Sequence, residues 1–536
     1  MASHTASQRY LSTRGGSYGL SFEEVVLKGL ASDGGLFIPE EIPCLPPDWT
    51  SRWRNLEFTE LALEIFSLYV SPVEIPLTDL KSLIRRSYGA FRAPDVTPLV
   101  TLSETENLHL LELFHGPTFA FKDVALQLLG NLFEYFLVRR NEGRVGKKRH
   151  HLTVIGATSG DTGSAAIYGL RGKKDVSVFI LHPKGRVSSI QEAQMTSVLD
   201  TNVHNLAVEG TFDDCQDMVK ALFNDPIVSK THNLAAVNSI NWARILAQTT
   251  YYVHAYFSLL RSVPTFSPDN SKLRVVVPSG NFGDVLAGYF VKRMGLPIEK
   301  LVIATNENDI LHRFWQSGYY EKKPVHSRTM EDGPLAEGVK ETLSPAMDIL
   351  VSSNFERLLW FLAYEVYGSN SDVHASRNTA GEKVRAWLSD LKAHGGFSVD
   401  PTILDAARRD FESERVSDAE ILTTIKHFYH STPSYIADPH TAVGMTASLR
   451  SISRNPPPIS HHISLATAHP AKFANAVMLA LEGEEKFVFE EMVPVELRGL
   501  EEKERRVRDV REGVGWEGLR KIVEEMVEVE GNSSVD

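Results

Sequence analysis

Only two cysteines, Cys44 and Cys215, occur in 536 residues. That scarcity excludes a disulfide framework and a cysteine-rich zinc module, and it fits a reducing compartment. Nowhere does the chain approach the roughly 18 uninterrupted apolar residues of a membrane span. Met1 to Gly16 lacks the apolar core of a secretory signal, so a soluble, cytoplasmic protein with no membrane partner is expected. Basic charge is also in deficit: 56 Lys+Arg against 68 Asp+Glu leave a formal net charge of −12. No overall field therefore favours nucleic acid, although a local anion site stays open. His461, His462 and His469 match no ligand spacing, and no metal is expected.

What is present is 43% apolar residues, ample for more than one core in a chain of this length. FEEVVLKGLA and FTELALEIFSLYV carry apolar residues at helical spacing, and 1–98 reads as a mainly helical N-terminal domain. From Leu99 the pattern becomes short apolar runs, each closed by a Gly or Pro turn and followed by a helical stretch. LTVIGA, VSVFILHP, VHNLAVEG, RVVVPSGN and LVIATNEN lack alternation, as parallel strands covered on both faces do. The expectation is α/β, with two doubly wound domains. The larger takes 99–128 and 225–475, interrupted by a peripheral insertion at about 368–458. The smaller takes 129–224, and 476–536 is a charged, solvated helical segment.

Two strand-to-helix loops stand out. Thr158-Ser159-Gly160-Asp161-Thr162-Gly163 follows TVIGA, and Pro278-Ser279-Gly280-Asn281-Phe282-Gly283-Asp284 follows RVVV. Glycines allow tight turns there, and free amides with the positive end of a helix suit an anion. A plain turn capped by Ser159 or Asp161 is an equal reading of the first loop. Neither loop ends in Gly-Lys-Ser/Thr, which disfavours triphosphate chemistry and suggests two separate anions. Lys122 opens a helix between aromatic neighbours Phe119 and Phe121. The helix dipole and an apolar pocket both lower an amine's pKa, although a surface lysine paired with Asp123 is the plainer reading of the residue alone. Arg244, entering a helix, suits a phosphate, a carboxylate or a surface salt bridge.

LFHGPTFAFKD, ATSGDTGSAA, NSINWARILAQ and PSGNFGD, in this order, resemble the threonine synthase family, pyridoxal-phosphate enzymes of fold type II with a tryptophan synthase β-like architecture. The resemblance runs from TRGGSYGLSFEEVVLKGLASDGGLFIP to the stretch ending Ala468-His469-Pro470, and it points to the longer branch of the family. It implies pyridoxal 5'-phosphate as cofactor, held by Lys122 as a Schiff base. Gly280, Asn281 and Phe282 would surround the cofactor phosphate, Asp284 would cap the turn or helix, and Thr467 would face the pyridine nitrogen. Ser159, Thr162 and Arg244 would meet the substrate's phosphate or carboxylate. Asp161, on the same loop, stands where shorter members carry Asn and is grouped with the substrate-side residues. The implied reaction turns O-phospho-L-homoserine and water into L-threonine and phosphate, the last step of threonine biosynthesis, in a monomer or homodimer. A phospho-lyase or serine/threonine dehydratase giving 2-oxobutyrate, or a catalytically silent binding protein, shares the same motifs.

Overall fold

A computed structural model describes residues 8–225, 233–235, 237–322, 338–369, 371–511 and 513–533. Its centre is a six-stranded sheet in the order Phe411–Arg415, Ile298–Thr305, Lys272–Pro278, Ser460–Ala466, Leu108–Glu112, Leu99–Ser103. All neighbours are parallel except the final pair, a hairpin-like antiparallel edge. The apolar runs without alternation fall on these central strands because helices cover both faces. Ser460–Ala466 is buried at every position.

A second sheet runs Arg508–Val510, Val203–Val208, Val176–Pro183, Leu152–Ala157, Leu234–Ala235, again parallel throughout. Two of its strands lie outside 129–224. The link between the sheets is the helix Lys122–Arg140, buried on nearly every side. Gly130 lets it approach the helix Asp161–Leu170, because a Cβ there would sit 1.9 Å from the carbonyl oxygen of Gly169.

The N-terminal part contains the helices Phe22–Lys28, Phe58–Phe66 and Leu77–Tyr88 and a two-stranded sheet, Tyr10–Ser12 with Phe37–Pro39. Tyr10 and Tyr69 pack on Trp242, the first residue of the helix Trp242–Ser262. This unit therefore shares the main apolar core instead of standing apart.

Two expectations need correction. The stretch 368–458 is not a peripheral insertion: Phe411–Arg415 forms the edge of the large sheet. Within it, the helix Pro439–Arg454 is buried against that sheet through Ala442, Val443, Met445 and Ala447. FESER conceals its strand because an edge strand carries polar side chains, here Glu412 and Glu414 paired with arginines. The charged segment after 476 is likewise more than solvated helix. Arg508–Val510 extends the small sheet, and Leu519 and Val523 of the final helix join its core.

Burial in these cores drives His109, His254 and His469 down to about 4 and His462 down to about 3. They fold neutral, whereas the unfolded chain takes up their protons near the ordinary 6.5. Stability should thus decline as pH falls from about 6.5 toward 4, each group costing about 1.4 kcal/mol for every tenfold loss of its proton affinity on folding. Asp123 and Asp284, raised by burial to about 6, act oppositely over part of that range but are outnumbered. A urea midpoint falling steadily between those pH values, and less steeply in His254→Gln, is the expected result. A flat profile would contradict it.

Candidate functional site

The carboxyl ends of the parallel strands converge on one place. Val276 is in register with Ser464, so Ser279 and Thr467 leave adjacent strands at the same level. Ala466 is level with Glu112 on the other side. The segment before Lys122 is sewn to this edge: the Phe121 amide donates to the Thr467 carbonyl (2.7 Å), and the His469 amide donates to the Phe119 carbonyl (3.0 Å). Ligands in open α/β sheets bind outside these strand ends.

Lys122 is buried at the first turn of its helix, with Nζ 4.7 Å from the centroid of the Phe121 ring. Its neighbour Asp123 is not its partner. That carboxylate accepts from the Thr118 amide (2.7 Å) and hydroxyl (2.8 Å). The nearest acid is Asp161, 4.0 Å from Nζ and beyond hydrogen-bond reach. Burial pushes the Lys122 amine down to about 8, with Lys472 and Arg244 adding to the effect and Asp161 opposing it.

In the first loop the geometry departs from a simple anion nest. Thr158 Oγ1 accepts from the amides of Gly160 (3.0 Å) and Gly163 (2.8 Å), so the loop satisfies two of its own donors. Neither Ser159 nor Asp161 caps the helix; the cap is Gly160 at φ +138, where a Cβ would meet the Gln191 side chain at 2.5 Å. Ser159 is exposed and Thr162 half-buried. Asp161 points inward to Lys472 (2.7 Å) and Gln191 (2.7 Å). Burial alone would raise its carboxyl, but the Lys472 and Lys122 ammonium groups hold it below the usual range.

Around the second loop, the carbonyls are engaged by the segment Ser352–Asn354. Gly280 O accepts from Ser352 Oγ (2.7 Å), and Asn281 O accepts from the amide (3.1 Å) and side chain (2.9 Å) of Asn354. The amides of Gly280, Asn281 and Phe282 make no backbone hydrogen bond among the described residues. Phe282 holds a left-handed backbone (φ +63), which is costly for an aromatic residue. Its ring offsets that strain by packing against Phe355 and Phe411. Asp284 does not cap the helix, contrary to expectation. Its Oδ1 accepts from Tyr251 (2.5 Å) and Tyr252 (2.7 Å), which tie the loop to the helix Trp242–Ser262.

Arg244, on that same helix, is buried and donates to the Val237 carbonyl (2.7 Å). It makes no ion pair among the described residues, and its Nε is buried without a partner. The salt-bridge reading therefore fails. Burial lowers its pKa to about 10. Two more buried donors lack partners among the described residues, the hydroxyls of Ser279 and Thr467. Buried polar groups are normally satisfied, so the two orphaned hydroxyls at adjacent strand ends, with the orphaned Nε of Arg244, mark a place for a polar ligand. Nor do any three His, Cys, Asp or Glu among the described residues form a metal-holding group.

Three family models match successive parts of the chain: "Threonine synthase N terminus" over 9–88, "Pyridoxal-phosphate dependent enzyme" over 91–354 and "Threonine synthase, C-terminal" over 441–523. A threonine synthase of Schizosaccharomyces pombe is 56% identical over 497 residues, covering 92% of this chain and 94% of the relative. This chain belongs to the threonine synthase family. The crystal structure of threonine synthase from yeast superposes with a TM-score of 0.89 at 52% identity, covering 97% of this chain and 99% of that one. A pyridoxal-phosphate-bound threonine synthase from Brucella melitensis gives 0.82 at 39% identity, covering 97% and 99%. The fold is therefore that of pyridoxal-phosphate enzymes of type II, and the protein is a pyridoxal-phosphate-dependent lyase.

The donor set fits that cofactor. A buried amine stands near its own neutral range, unpaired amides surround Gly280–Phe282, and the Thr467 hydroxyl has no other partner among the described residues. Thr441 Oγ1 accepts from the Thr467 amide (3.0 Å) and in turn donates to Asp438, which fixes the residue that presents this hydroxyl. Lys472, Gln191, Asp438, Thr441, Tyr251 and Tyr252 escape a reading of the sequence. Lys472 alone leaves a local trace, a lysine inside the apolar stretch Pro470-Ala471-Lys472-Phe473-Ala474. Among the described residues, no helix is long and apolar enough to cross a membrane.

Proposed function

We propose that this chain converts O-phospho-L-homoserine and water to L-threonine and phosphate. The observation that carries the reading is the buried Lys122 amine, its proton affinity lowered by burial, together with two places prepared for anions: the loop at Ser279–Phe282 and the side of Arg244 left without a partner among the described residues. Bound pyridoxal phosphate supplies an electron sink that makes protons at Cα and Cβ of an amino acid removable. Lys122 is the covalent attachment point for that group. The amides of Gly280, Asn281 and Phe282, with the Ser279 hydroxyl, bind its phosphate, Asp284 holds their loop from behind, and Thr467 donates toward its ring nitrogen.

Arg244, with Ser159 and Thr162 at the mouth, receives the substrate anion, and Asp161 orders the amine side of the pocket. Once free of the cofactor, the Lys122 amine takes protons from Cα and Cβ and returns protons to Cγ and Cα. The γ-phosphate leaves, and water adds at Cβ. The neutral hydroxyl of Thr467 suits a ring nitrogen that stays largely unprotonated. We place the reaction in the cytoplasm, in a monomer or homodimer, with a small molecule and no nucleic acid as partner; the two cysteines and the net negative charge support this.

The test is incubation of the purified protein with pyridoxal phosphate and O-phospho-L-homoserine, following phosphate and identifying the carbon product. Threonine in step with phosphate is expected. Phosphate with 2-oxobutyrate would replace the synthase reading by simple elimination, and neither product would reject this substrate.

A further inference from the structure

Lys472 is fully buried, yet nothing in the proposed chemistry uses it. Its ammonium donates to Asp161 Oδ1 at 2.7 Å and to the Thr118 carbonyl at 2.8 Å. Gln191 Nε2 donates to the same Oδ1 at 2.7 Å. Asp161 Oδ2 lies 4.0 Å from Lys122 Nζ. One buried carboxylate thus stands between two buried ammonium groups and is bonded to only one of them. A buried carboxylate left beside a single lysine would form a close ion pair with it, because at low dielectric that contact is the only way to satisfy both charges. We infer that Lys472 is a positioning residue that engages Asp161 in place of Lys122, so that the Lys122 amine stands beside a neutralised acid without being bound by it.

The groups facing Lys122 support this division. Asp161 comes from the helix Asp161–Leu170, Lys472 from the short turn Pro470–Phe473, Arg244 from the helix Trp242–Ser262 and Asp438 from the cap of Pro439–Arg454. Asp161 and Asp438 favour the protonated amine, while Lys472 and Arg244 disfavour it. Asp438 is occupied by the Thr441 hydroxyl and by His440, whose Nδ1 lies 2.8 Å away. Asp123, on the helix of Lys122 itself, is held by Thr118. Asp161 is therefore the acid whose hold on Lys122 depends most on another residue, and that residue is Lys472. The same ammonium braces the Thr118 carbonyl, so a merely structural role must be distinguished.

The inference rests on Lys122 being the reacting amine, but its test needs neither cofactor nor substrate. Reductive methylation of Lys122 in the cofactor-free protein, followed by peptide mass spectrometry across pH 6 to 11, reads the amine directly. Lys472→Met should raise the midpoint of labelling by at least one pH unit, about an eightfold or greater loss of labelling rate at pH 7.5. Lys472→Arg should keep the midpoint, and Asp161→Asn/Lys472→Met, which removes both charges, should restore it. The double variant also serves if the single one does not fold. In the holoenzyme, where Lys122 is freed only after substrate displaces it, the acidic midpoint of kcat with O-phospho-L-homoserine should move with the labelling midpoint. Variants that lose thermal stability while Lys122 keeps its midpoint, or a double variant that remains shifted, would overturn the role. A failed synthase assay would leave the labelling result unaffected, so the two readings fail separately.

Discussion

Lys122→Ala should abolish turnover, by at least about three orders of magnitude, because the variant loses both the covalent anchor and the group that moves protons. The visible absorbance of the bound cofactor and its trapping by borohydride should vanish with the activity. A second, independent consequence follows from the burial that pushes this amine from 10.5 to about 8. Below pH 8 the folded, cofactor-free protein carries a buried ammonium at a cost. Between about 8 and 10.5 the folded state loses its proton before the unfolded state does, so wild-type stability rises with pH across that window relative to the alanine variant. Denaturant unfolding of the two cofactor-free proteins at pH 7 and pH 10 measures the difference. A variant that keeps absorbance and turnover would remove Lys122 from the chemistry. A stability difference that does not change with pH would show that the amine is not perturbed.

Much of this site was legible because it is local. A strand that ends in glycines before a helix places amides at the helix's positive end whatever surrounds it, so both loops can be read from consecutive residues. The large-sheet strands from Lys272 to Thr305 and the linking helix are read for the same reason: their burial is written as dense apolar runs of consecutive residues. What was not legible depends on residues far apart in the chain. Lys472 meets Asp161 across more than 300 positions, and only the docking of the two sheets brings them together. Asp284 looks like a helix cap until Tyr251 and Tyr252, from a helix more than 30 residues earlier, reach its carboxylate. FESER reads as polar surface because edge strands and loops share a composition. Long-range electrostatics and edge pairing decide these cases, and neither leaves a period in the sequence.

Arg244→Met should separate binding from stability. Among the described residues this guanidinium has one carbonyl partner and none at Nε, so it is buried at an electrostatic cost that a bound anion would offset. Removing it relieves that cost and leaves the Val237 carbonyl without its donor, a loss of about 1–3 kcal/mol. The two terms oppose, so thermal stability of the ligand-free protein should change little. Substrate binding has no such compensation. A charged hydrogen bond is worth about 1.5–3 kcal/mol, so KM for O-phospho-L-homoserine should rise by about 10- to 150-fold, with a smaller change in kcat. Inorganic phosphate gives a check without chemistry. Anything that binds only the folded state stabilises it, by about 2.7 kcal/mol at 100 times its Kd. Phosphate should therefore raise the melting temperature of the wild type and do so much less in the variant. An Arg244→Met protein with lower thermal stability, unchanged KM and an intact response to phosphate would make this residue a structural one and move the substrate anion elsewhere in the cleft.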